Sequence, residues 1–429
     1  MFTEKQLPRR GIRVASLLVT VVLGACSSNS KPGTPPSVVE QPTAINLYPS
    51  GADNRLFVFI TAVGSNPVSM ALIFDSGSAG ITLDAHAIFP PDMFDASGNL
   101  IFSADQPFTY NGVMVTNQRA TKGFGGTNGF VESGYLGYAQ VTFGDAAGQL
   151  TTDVMPVFLY DHSTPQNPTQ PSGIGLALGI FGVDPLADEL MVSAMLTQGP
   201  ECTQQTAVPC YAGSILKYLG YGGSVHAGFM LSPSPLQPTC TVGLITSASQ
   251  PEAAQPQSCV PEPMLTIGLT GSSEGDFSAS ALTCPPMTDE MPKYLGPNQI
   301  QDYAVCEKSI PNSTITLTGL EQSNCATPFV FPPSRVLFDT GTQDMQLYPP
   351  SNSDMPNCTL PSSLPMGTGV MVSLPSSPSG FTYAYKVMNS ATHTVVASTT
   401  NNEQNHVGVG YFETNSFFID YTSNMEGWK

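Results

Sequence analysis

The chain has 429 residues, more than a single hydrophobic core usually serves, so two domains or lobes are expected. Charged residues make up only 11% of the chain, whereas 40 Gly and 39 Pro favour short strands joined by turns over long helices. The formal net charge of -18 repels phosphate backbones, which argues against nucleic acid as a partner.

The N-terminus has the pattern of an export signal. Basic residues precede an apolar run at 14–23, which is too short to span a bilayer as a mature helix. The run ends in Leu23-Gly24-Ala25-Cys26, which resembles the bacterial lipoprotein signal. This resemblance implies removal of residues 1–25 and a lipid on Cys26, and hence a membrane-anchored protein of the bacterial cell envelope. An ordinary signal peptide that happens to precede a Cys is the alternative.

The following segments predict a tether and then a series of strands. Residues 26–43 are rich in Ser and Pro and are expected to form a flexible tether. Short apolar runs at 56–63, 68–74 and 80–83 predict consecutive strands of an N-terminal lobe that extends over 44–247. A Gly-rich stretch around 122–130 predicts a mobile β-hairpin.

Two tetrapeptides carry the chemistry that stands out in the sequence. Asp75-Ser76-Gly77-Ser78 follows an apolar run, and Asp339-Thr340-Gly341-Thr342 follows another one far downstream. A match to this pattern is expected by chance roughly 0.07 times in a chain of this composition. Either motif alone is typical of a turn in which Asp makes a local hydrogen bond. The recurrence predicts one site divided between two halves of the chain.

The Pro-rich residues 248–262 predict a linker, and residues 263–429 predict a C-terminal lobe.

The number of cysteines fits an exported chain. Eight Cys remain besides Cys26, and an even set predicts four disulfides, although eight Cys allow 105 connectivities. The lack of C-x-x-C spacing disfavours a zinc knuckle. Pairing of neighbours is expected: Cys202 with Cys210, Cys240 with Cys259, Cys284 with Cys306, and Cys325 with Cys358.

Together the two motifs and the segments behind them resemble the pepsin-like aspartic proteases. Gly179-Ile-Phe-Gly182 is similar to the segment that backs the first Asp loop, and residues 406–412 and 417–427 are similar to the closing segment behind the second. The resemblance covers 56–427. It implies an all-β, bilobal double β-barrel with a few short helices, in which each lobe supplies one catalytic Asp.

The same resemblance implies an aspartic endopeptidase. Asp75 and Asp339 would share one proton, because two adjacent carboxylates do not both ionise easily, and would activate a water against the peptide carbonyl. A peptide or protein substrate and a monomeric enzyme are expected, with neither cofactor nor metal. The residues expected to support the two loops are Ser76, Gly77, Ser78, Thr340, Gly341 and Thr342.

Several positions depart from the family pattern. Phe124 and Gly125 lie in the hairpin that resembles the flap over the substrate. Phe124 occupies the position where the family usually has a Tyr. Thr82 replaces the Trp that partners that Tyr, and Asp344 adds an acid beside the second motif. These departures motivate the alternative of a non-catalytic surface lipoprotein that binds a peptide or a cell-envelope ligand in the same cleft.

Two further patterns are weaker. Gly271-Ser-Ser-Glu-Gly275 matches a serine-hydrolase nucleophile elbow, but polar residues follow it where a helix should begin. The five His show no spacing typical of metal ligands. Neither a serine hydrolase nor a metal site is therefore predicted.

Overall fold

The computed structural model describes most of the chain from residue 34 onward, and strands dominate the described part. The described residues are 34–103, 106–124, 130–165, 179–185, 210–211, 213–242, 256–257, 259–284, 293–294, 306, 310–320, 328–348, 360–375, 380–388, 392–397 and 404–429. The predicted tether at 26–43 therefore lies only partly within this range. No helix among these residues is both long and apolar enough to cross a membrane.

The strands are short and follow one another closely, as the Gly and Pro content predicts. The first seventeen are β1 (Val38–Val39), β2 (Thr43–Ser50), β3 (Arg55–Val63), β4 (Asn66–Asp75), β5 (Ala79–Asp84), β6 (Phe108–Tyr110), β7 (Val113–Phe124), β8 (Phe130–Ala139), β9 (Val141–Asp145), β10 (Gly148–Thr151), β11 (Met155–Pro165), β12 (Ile180–Val183), β13 (Cys210–Tyr211), β14 (Gly220–Tyr221), β15 (His226–Leu231), β16 (Thr241–Val242) and β17 (Pro256–Gln257).

The rest are β18 (Glu262–Leu269), β19 (Ser278–Ala281), β20 (Lys293–Tyr294), β21 (Ile310–Thr318), β22 (Phe329–Val330), β23 (Ser334–Phe338), β24 (Met345–Leu347), β25 (Gly369–Leu374), β26 (Phe381–Lys386), β27 (Val395–Ala397), β28 (Gln404–Val407), β29 (Phe417–Asp420) and β30 (Met425–Trp428). The described helical elements are a short helix, α1 (Gly271–Glu274), and 3-10 turns at Ala85–Ala87, Pro91–Met93, Ile215–Tyr218 and Val409–Glu413. The predicted all-β class is confirmed.

The first Asp loop is set up by a strand that inserts between its two flanking strands. β3 and β4 are buried along most of their length, because their apolar runs face core on both sides. β12 lies between β4 and β5, parallel to β4 and antiparallel to β5. Asp75 therefore ends a buried strand and the chain turns directly into β5.

The second Asp loop is set up in the same way in a separate sheet. β28 lies between β23 and β24, parallel to β23 and antiparallel to β24. The strand order in this sheet is β26-β25-β21-β23-β28-β24-β27, with β22 beside β21. Each sheet system thus presents one Asp loop, which is the bilobal pepsin-like plan predicted from the sequence.

Strands from distant parts of the chain close the larger sheet, whose order is β19-β30-β29-β15-β18-β2-β3-β4-β12-β5-β11-β8-β7-β6, with β9 beside β3 and β10 beside β9. The C-terminal strands β29 and β30 enter it next to β15. Trp428, fully buried, packs near Phe338 with ring centroids 5.7 Å apart, so the chain end supports the strand before the second Asp loop. Of the predicted linker, residues 248–255 and 258 lie outside the described residues, and the lobe boundaries stay predictions.

Candidate active site

The first Asp loop holds its carboxylate from two sides. The Gly77 N–H donates to Asp75 Oδ1 at 2.6 Å, and the Ser78 hydroxyl donates to Asp75 Oδ2 at 2.7 Å. Each oxygen thus has its own donor. Hydrogen bonds of this kind favour the ionised carboxylate and fix its plane.

The second loop repeats this geometry. The Gly341 N–H donates to Asp339 Oδ1 at 2.8 Å, and the Thr342 hydroxyl donates to Asp339 Oδ2 at 2.6 Å. Asp75 and Asp339 are both 7% exposed. The two motifs therefore form equivalent sites with equivalent access to solvent.

Hydroxyls at the second position of each motif tie the two loops together. The Ser76 N–H donates to Thr340 Oγ1 at 2.9 Å, and the Thr340 N–H donates to Ser76 Oγ at 3.0 Å. The Ser76 hydroxyl then donates to the Phe338 carbonyl at 2.9 Å, and the Thr340 hydroxyl to the Phe74 carbonyl at 2.7 Å. This reciprocal network joins residues 264 positions apart in the chain.

The glycines of the two motifs place each loop against the opposite carboxylate. A Cβ added to Gly77 would overlap the carboxylate of Asp339, and one added to Gly341 would lie 2.5 Å from Asp75 Oδ1. No real Cβ fits at such distances. Glycine is required at both positions because each carboxylate occupies the space that a side chain would need, so the structure brings Asp75 and Asp339 to one site.

Backbone from the inserted strands fixes the base of each loop. Gly182 in β12 is in register with Asp75, and a Cβ there would lie 2.5 Å from the Ser78 carbonyl oxygen. On the other side the Asp339 N–H donates to the Val407 carbonyl at 2.9 Å, and a Cβ on Gly408 would lie 2.5 Å from the Asp344 carbonyl oxygen. Both inserted segments approach their loops as closely as backbone allows.

The predicted flap is a hairpin of β7 and β8, with an apolar pair towards its tip. Phe124 stacks on Phe130, with ring centroids 5.0 Å apart. The ammonium of Lys122 lies 4.9 Å from the centre of the Phe124 ring. Gly125 lies outside the described residues.

Thr82, at the position predicted to hold Trp in the pepsin-like pattern, links the predicted flap hairpin to strand β12 by polar contacts. Its hydroxyl donates to Glu132 Oε1 on β8 at 3.4 Å and accepts the Ile180 N–H at 3.0 Å. Burial raises the pKa of Glu132 to about 8, Asp84 adds to the rise, and the Thr82 hydrogen bond and Lys122 oppose it. Glu132, whose pKa is raised, therefore contacts Thr82 from the predicted flap hairpin.

Sequence reasoning missed Arg55, which lies at the start of β3 and is 6% exposed. Burial lowers the pKa of Arg55 to about 10, while the negative charges of Asp339, Asp75 and Asp344 act in the opposite direction, Asp339 most strongly. Arg55 is thus a buried basic residue whose pKa the two candidate catalytic carboxyls influence. In the sequence it was one basic residue before an apolar run, with no signal of this placement.

Sequence reasoning also gave no role to His406, although it lies in the closing segment. Its Nδ1 lies 3.8 Å from Asp339 Oδ2. Only the register of β28 against β23 and β24 brings it there, and that register is not visible in the sequence.

Two of the predicted disulfides are present in the described residues. Cys240 pairs with Cys259, and Cys284 pairs with Cys306. The other predicted cysteines, Cys26, Cys202, Cys325 and Cys358, lie outside the described residues, as does the side chain of Cys210.

One His and two acids form a cluster that the sequence spacing did not indicate. Within the described residues, ligand atoms of His226, Glu274 and Asp420 lie within 4.8 Å of one another. His226 Nδ1 lies 2.8 Å from Asp420 Oδ2, and Ser423 donates to the same oxygen at 2.6 Å. Asp420 is thus the acceptor of the hydrogen bonds that hold this turn together. The residues Gly271–Glu274, weighed as a nucleophile elbow, form α1 instead.

Comparison with known proteins gives one kind of match. No family model matches the sequence, and no curated protein matches it. Among solved structures, the chain is similar to the aspartic proteinase from Irpex lacteus, with 12% identity over 90% of this chain and 97% of that chain and a TM-score of 0.43. At this identity and score, nothing about the residues or activity of this chain follows from the likeness.

Proposed function

We propose that the protein is an aspartic endopeptidase in which Asp75 and Asp339 form the catalytic pair. The observation that carries the proposal is the matched geometry of the two loops. Each carboxylate accepts one backbone N–H and one hydroxyl, and each lies against the glycine of the opposite loop. A structural turn needs no such duplication.

The chemistry follows from two carboxyls that share a proton. Two adjacent carboxylates repel each other, so over a range of pH one is ionised and the other protonated. The ionised carboxylate removes a proton from water while the water oxygen attacks the peptide carbonyl carbon, and the protonated carboxyl donates to the carbonyl oxygen. The resulting tetrahedral intermediate then loses the amine. We propose a peptide or protein substrate and a monomeric enzyme.

The proposal predicts that a neutral amide at either position strongly lowers the activity without unfolding the protein. Asp75→Asn and Asp339→Asn are expected to lower kcat by about 10²- to 10⁴-fold, because each removes a proton carrier of the reaction. Cleavage of a fluorogenic peptide library by the full-length protein is measured from pH 2 to pH 8, with pepstatin as inhibitor. Asp92→Asn, which changes an exposed Asp in the turn Pro91–Met93, is the matched control and should behave as the parent.

A second candidate is a non-catalytic protein that binds a peptide or a cell-envelope ligand in the same cleft. The observation that favours it is the apolar flap pair, since Phe124 lacks the hydroxyl that a Tyr would bring over the substrate. The non-catalytic function predicts that no peptide is cleaved at any pH. It also predicts that the parent and Asp92→Asn bind pepstatin with equal affinity. Cleavage that Asp75→Asn abolishes would rule it out.

We further propose that the chain is exported and held at the bacterial cell envelope by a lipid on Cys26. This proposal is supported by the basic residues, the apolar run and the small residues that precede Cys26. Residues 1–33 lie outside the described residues, so the support comes from the sequence pattern.

A further inference from the structure

The side chains of His226, Glu274 and Asp420 converge at one edge of the larger sheet. β15 lies between β18 and β29 and runs antiparallel to both, so its first residue lies at the same edge as their last residues. His226 opens β15, and Asp420 ends β29. α1 begins two residues after the end of β18 and ends on Glu274. Three elements that are separate in the chain thus bring one imidazole and two carboxyls together.

The polar atoms of these side chains lie close enough to share one ion. His226 Nδ1 is 2.8 Å from Asp420 Oδ2 and 3.9 Å from Glu274 Oε1. One ligand atom from each of the three residues lies within 4.8 Å of the others. A metal with bonds of about 2.1 Å holds neighbouring ligand atoms roughly 3 to 4 Å apart. Small side-chain rotations are therefore sufficient to turn this cluster into a coordination shell.

Asp420 is held in place by its own turn. It is fully buried, its Oδ1 accepts the N–H groups of Thr422 and Ser423 at 2.7 and 3.0 Å, and its Oδ2 accepts the Ser423 hydroxyl at 2.6 Å. The Thr422 hydroxyl accepts the Ala227 N–H at 2.9 Å, which fixes the turn to β15 beside His226. Outer hydrogen bonds of this kind orient a carboxylate and keep it ionised, as a metal ligand requires.

The carboxyl of Glu274 contributes an observation that the hydrogen bonds of Asp420 do not explain. Its Oε1 is shielded from solvent and forms no hydrogen bond among the described residues, although it faces His226 Nδ1. A buried carboxyl oxygen without a partner is unfavourable. Burial, and then the charge of Asp420 and a hydrogen bond with it, raise the pKa of Glu274 to about 7, whereas His226 opposes the rise. A cation between the two carboxyls satisfies this oxygen and removes their repulsion.

The charge and the ligand types of the cluster indicate which cation fits. With a neutral imidazole, the two ionised carboxylates carry two negative charges, which one divalent cation neutralises. Ca²⁺ and Mg²⁺ prefer oxygen ligands alone, whereas Zn²⁺ and its neighbours among the transition metals bind imidazole together with carboxylate. The side chains of His226 and Glu274 are 37% and 20% exposed, so an ion can enter from solvent and water can complete its coordination.

We propose that His226, Glu274 and Asp420 form a binding site for a divalent transition metal, with Zn²⁺ as the best match, and that the ion ties β15, α1 and the end of β29 together. His226 binds through Nδ1 with its proton on Nε2, and Glu274 binds as the carboxylate. A second proton on the imidazole, or a proton on the Glu274 carboxyl, is released to solvent. The site contains neither candidate catalytic carboxyl and does not depend on the proposed peptidase activity.

The first experiment measures metal affinity directly. Untagged full-length protein is stripped of metal with a chelator and titrated with Zn²⁺ by isothermal calorimetry at pH 7.5. We expect one saturable site, weakened at least about tenfold in His226→Gln and in Glu274→Gln, because each variant loses a ligand. Mg²⁺ and Ca²⁺ should bind at least about tenfold more weakly than Zn²⁺. Lack of saturable Zn²⁺ binding, or unchanged affinity in both variants, would overturn the proposal.

The chain contains a matched control pair. His393 Nδ1 lies 3.9 Å from Glu413 Oε1, the side chains are 17% and 18% exposed, and this oxygen also forms no hydrogen bond among the described residues. No third His, Cys, Asp or Glu in the described part of the chain joins this pair as a ligand group. His393→Gln should therefore keep the Zn²⁺ affinity of the parent. Equal losses in His393→Gln and His226→Gln would show adventitious binding only and contradict the site.

The second experiment separates the loss of a ligand from the loss of the fold. One equivalent of Zn²⁺ should shift the NMR signals of the His226 imidazole, assigned by their loss in His226→Gln, and leave those of His393 in place. Zn²⁺ should also raise the thermal unfolding midpoint of the parent and hardly change that of Glu274→Gln, because a ligand that binds only the folded state stabilises it. A similar shift of both imidazoles, or an equal rise of the midpoint in Glu274→Gln, would refute the proposed site.

Discussion

At the scale of single residues, carboxyl groups differ in how easily they ionise because their burial differs. Glu132 is 1% exposed, and among the described buried atoms its Oε2 has no hydrogen-bond partner. Charge on this side chain is therefore unfavourable in the folded protein. Asp92, in contrast, is exposed on a surface turn.

The buried Glu132 makes stability depend on pH. Its pKa is raised from 4.5 to about 8, so between these values the folded state holds a proton that the unfolded state releases. Because the unfolded state binds fewer protons, stability falls as pH rises from about 4.5 to about 8. At pH 7 the penalty is about 3 kcal/mol by this linkage.

Glu132→Gln is expected to remove this penalty. The variant should be more stable than the parent by up to about 3 kcal/mol at pH 7 and nearly equal to it at pH 4, as measured by urea unfolding at several pH values. Glu40→Gln, at an exposed position, is the control and should keep the pH dependence of the parent. A parallel dependence in Glu132→Gln and the parent would contradict the placement of Glu132 in an apolar environment.

At the scale of elements, the site depends on two loops that hold each other. Each loop alone would leave a buried hydroxyl and a buried N–H without partners, because Ser76 and Thr340 satisfy one another. Unpartnered buried donors are costly. The two sheet systems are therefore coupled through a small hydrogen-bond network directly beneath the carboxylates.

This coupling is measurable by a double-mutant cycle. Ser76→Ala and Thr340→Val should each destabilise the protein by about 1–3 kcal/mol, and their effects should be non-additive by at least about 0.5 kcal/mol. The measurement is chemical unfolding of the two single variants and the double variant. Thr142→Val, whose hydroxyl contacts Thr151 instead, should be additive with Ser76→Ala. Additivity of Ser76→Ala with Thr340→Val would show that the loops do not support each other.

At the scale of the whole molecule, the proposed anchor predicts where the protein is found. Cys26→Ser should abolish incorporation of radiolabelled palmitate and release the protein from the membrane fraction of an expressing bacterium, because the thiol that carries the lipid is lost. Palmitate incorporation and membrane association of Cys26→Ser are compared with those of the parent protein and of Cys240→Ser. A mature N-terminus well beyond Cys26 in the parent would rule out the anchor.

Local patterns in the sequence predicted several of the strands and the turns at the two Asp motifs. Strand β3 (Arg55–Val63) covers the run predicted at 56–63, and β4 (Asn66–Asp75) covers the run predicted at 68–74 and ends on Asp75. Strand periodicity and the turn chemistry of Ser, Thr and Gly act over a few residues, so they are visible without the fold. Neighbour pairing of cysteines also held for the two described disulfides.

The surroundings of the two carboxyls depended on the fold. His406 lies near Asp339 because β23 and β28 pair in a particular register, and a slip of one residue would turn its side chain to the other face. Thr82 and Glu132 meet across β5 and β8 for the same reason. The sequence alone therefore predicted the two Asp loops, whereas the tertiary structure determined which side chains surround them, because contacts between distant residues are set by strand pairing.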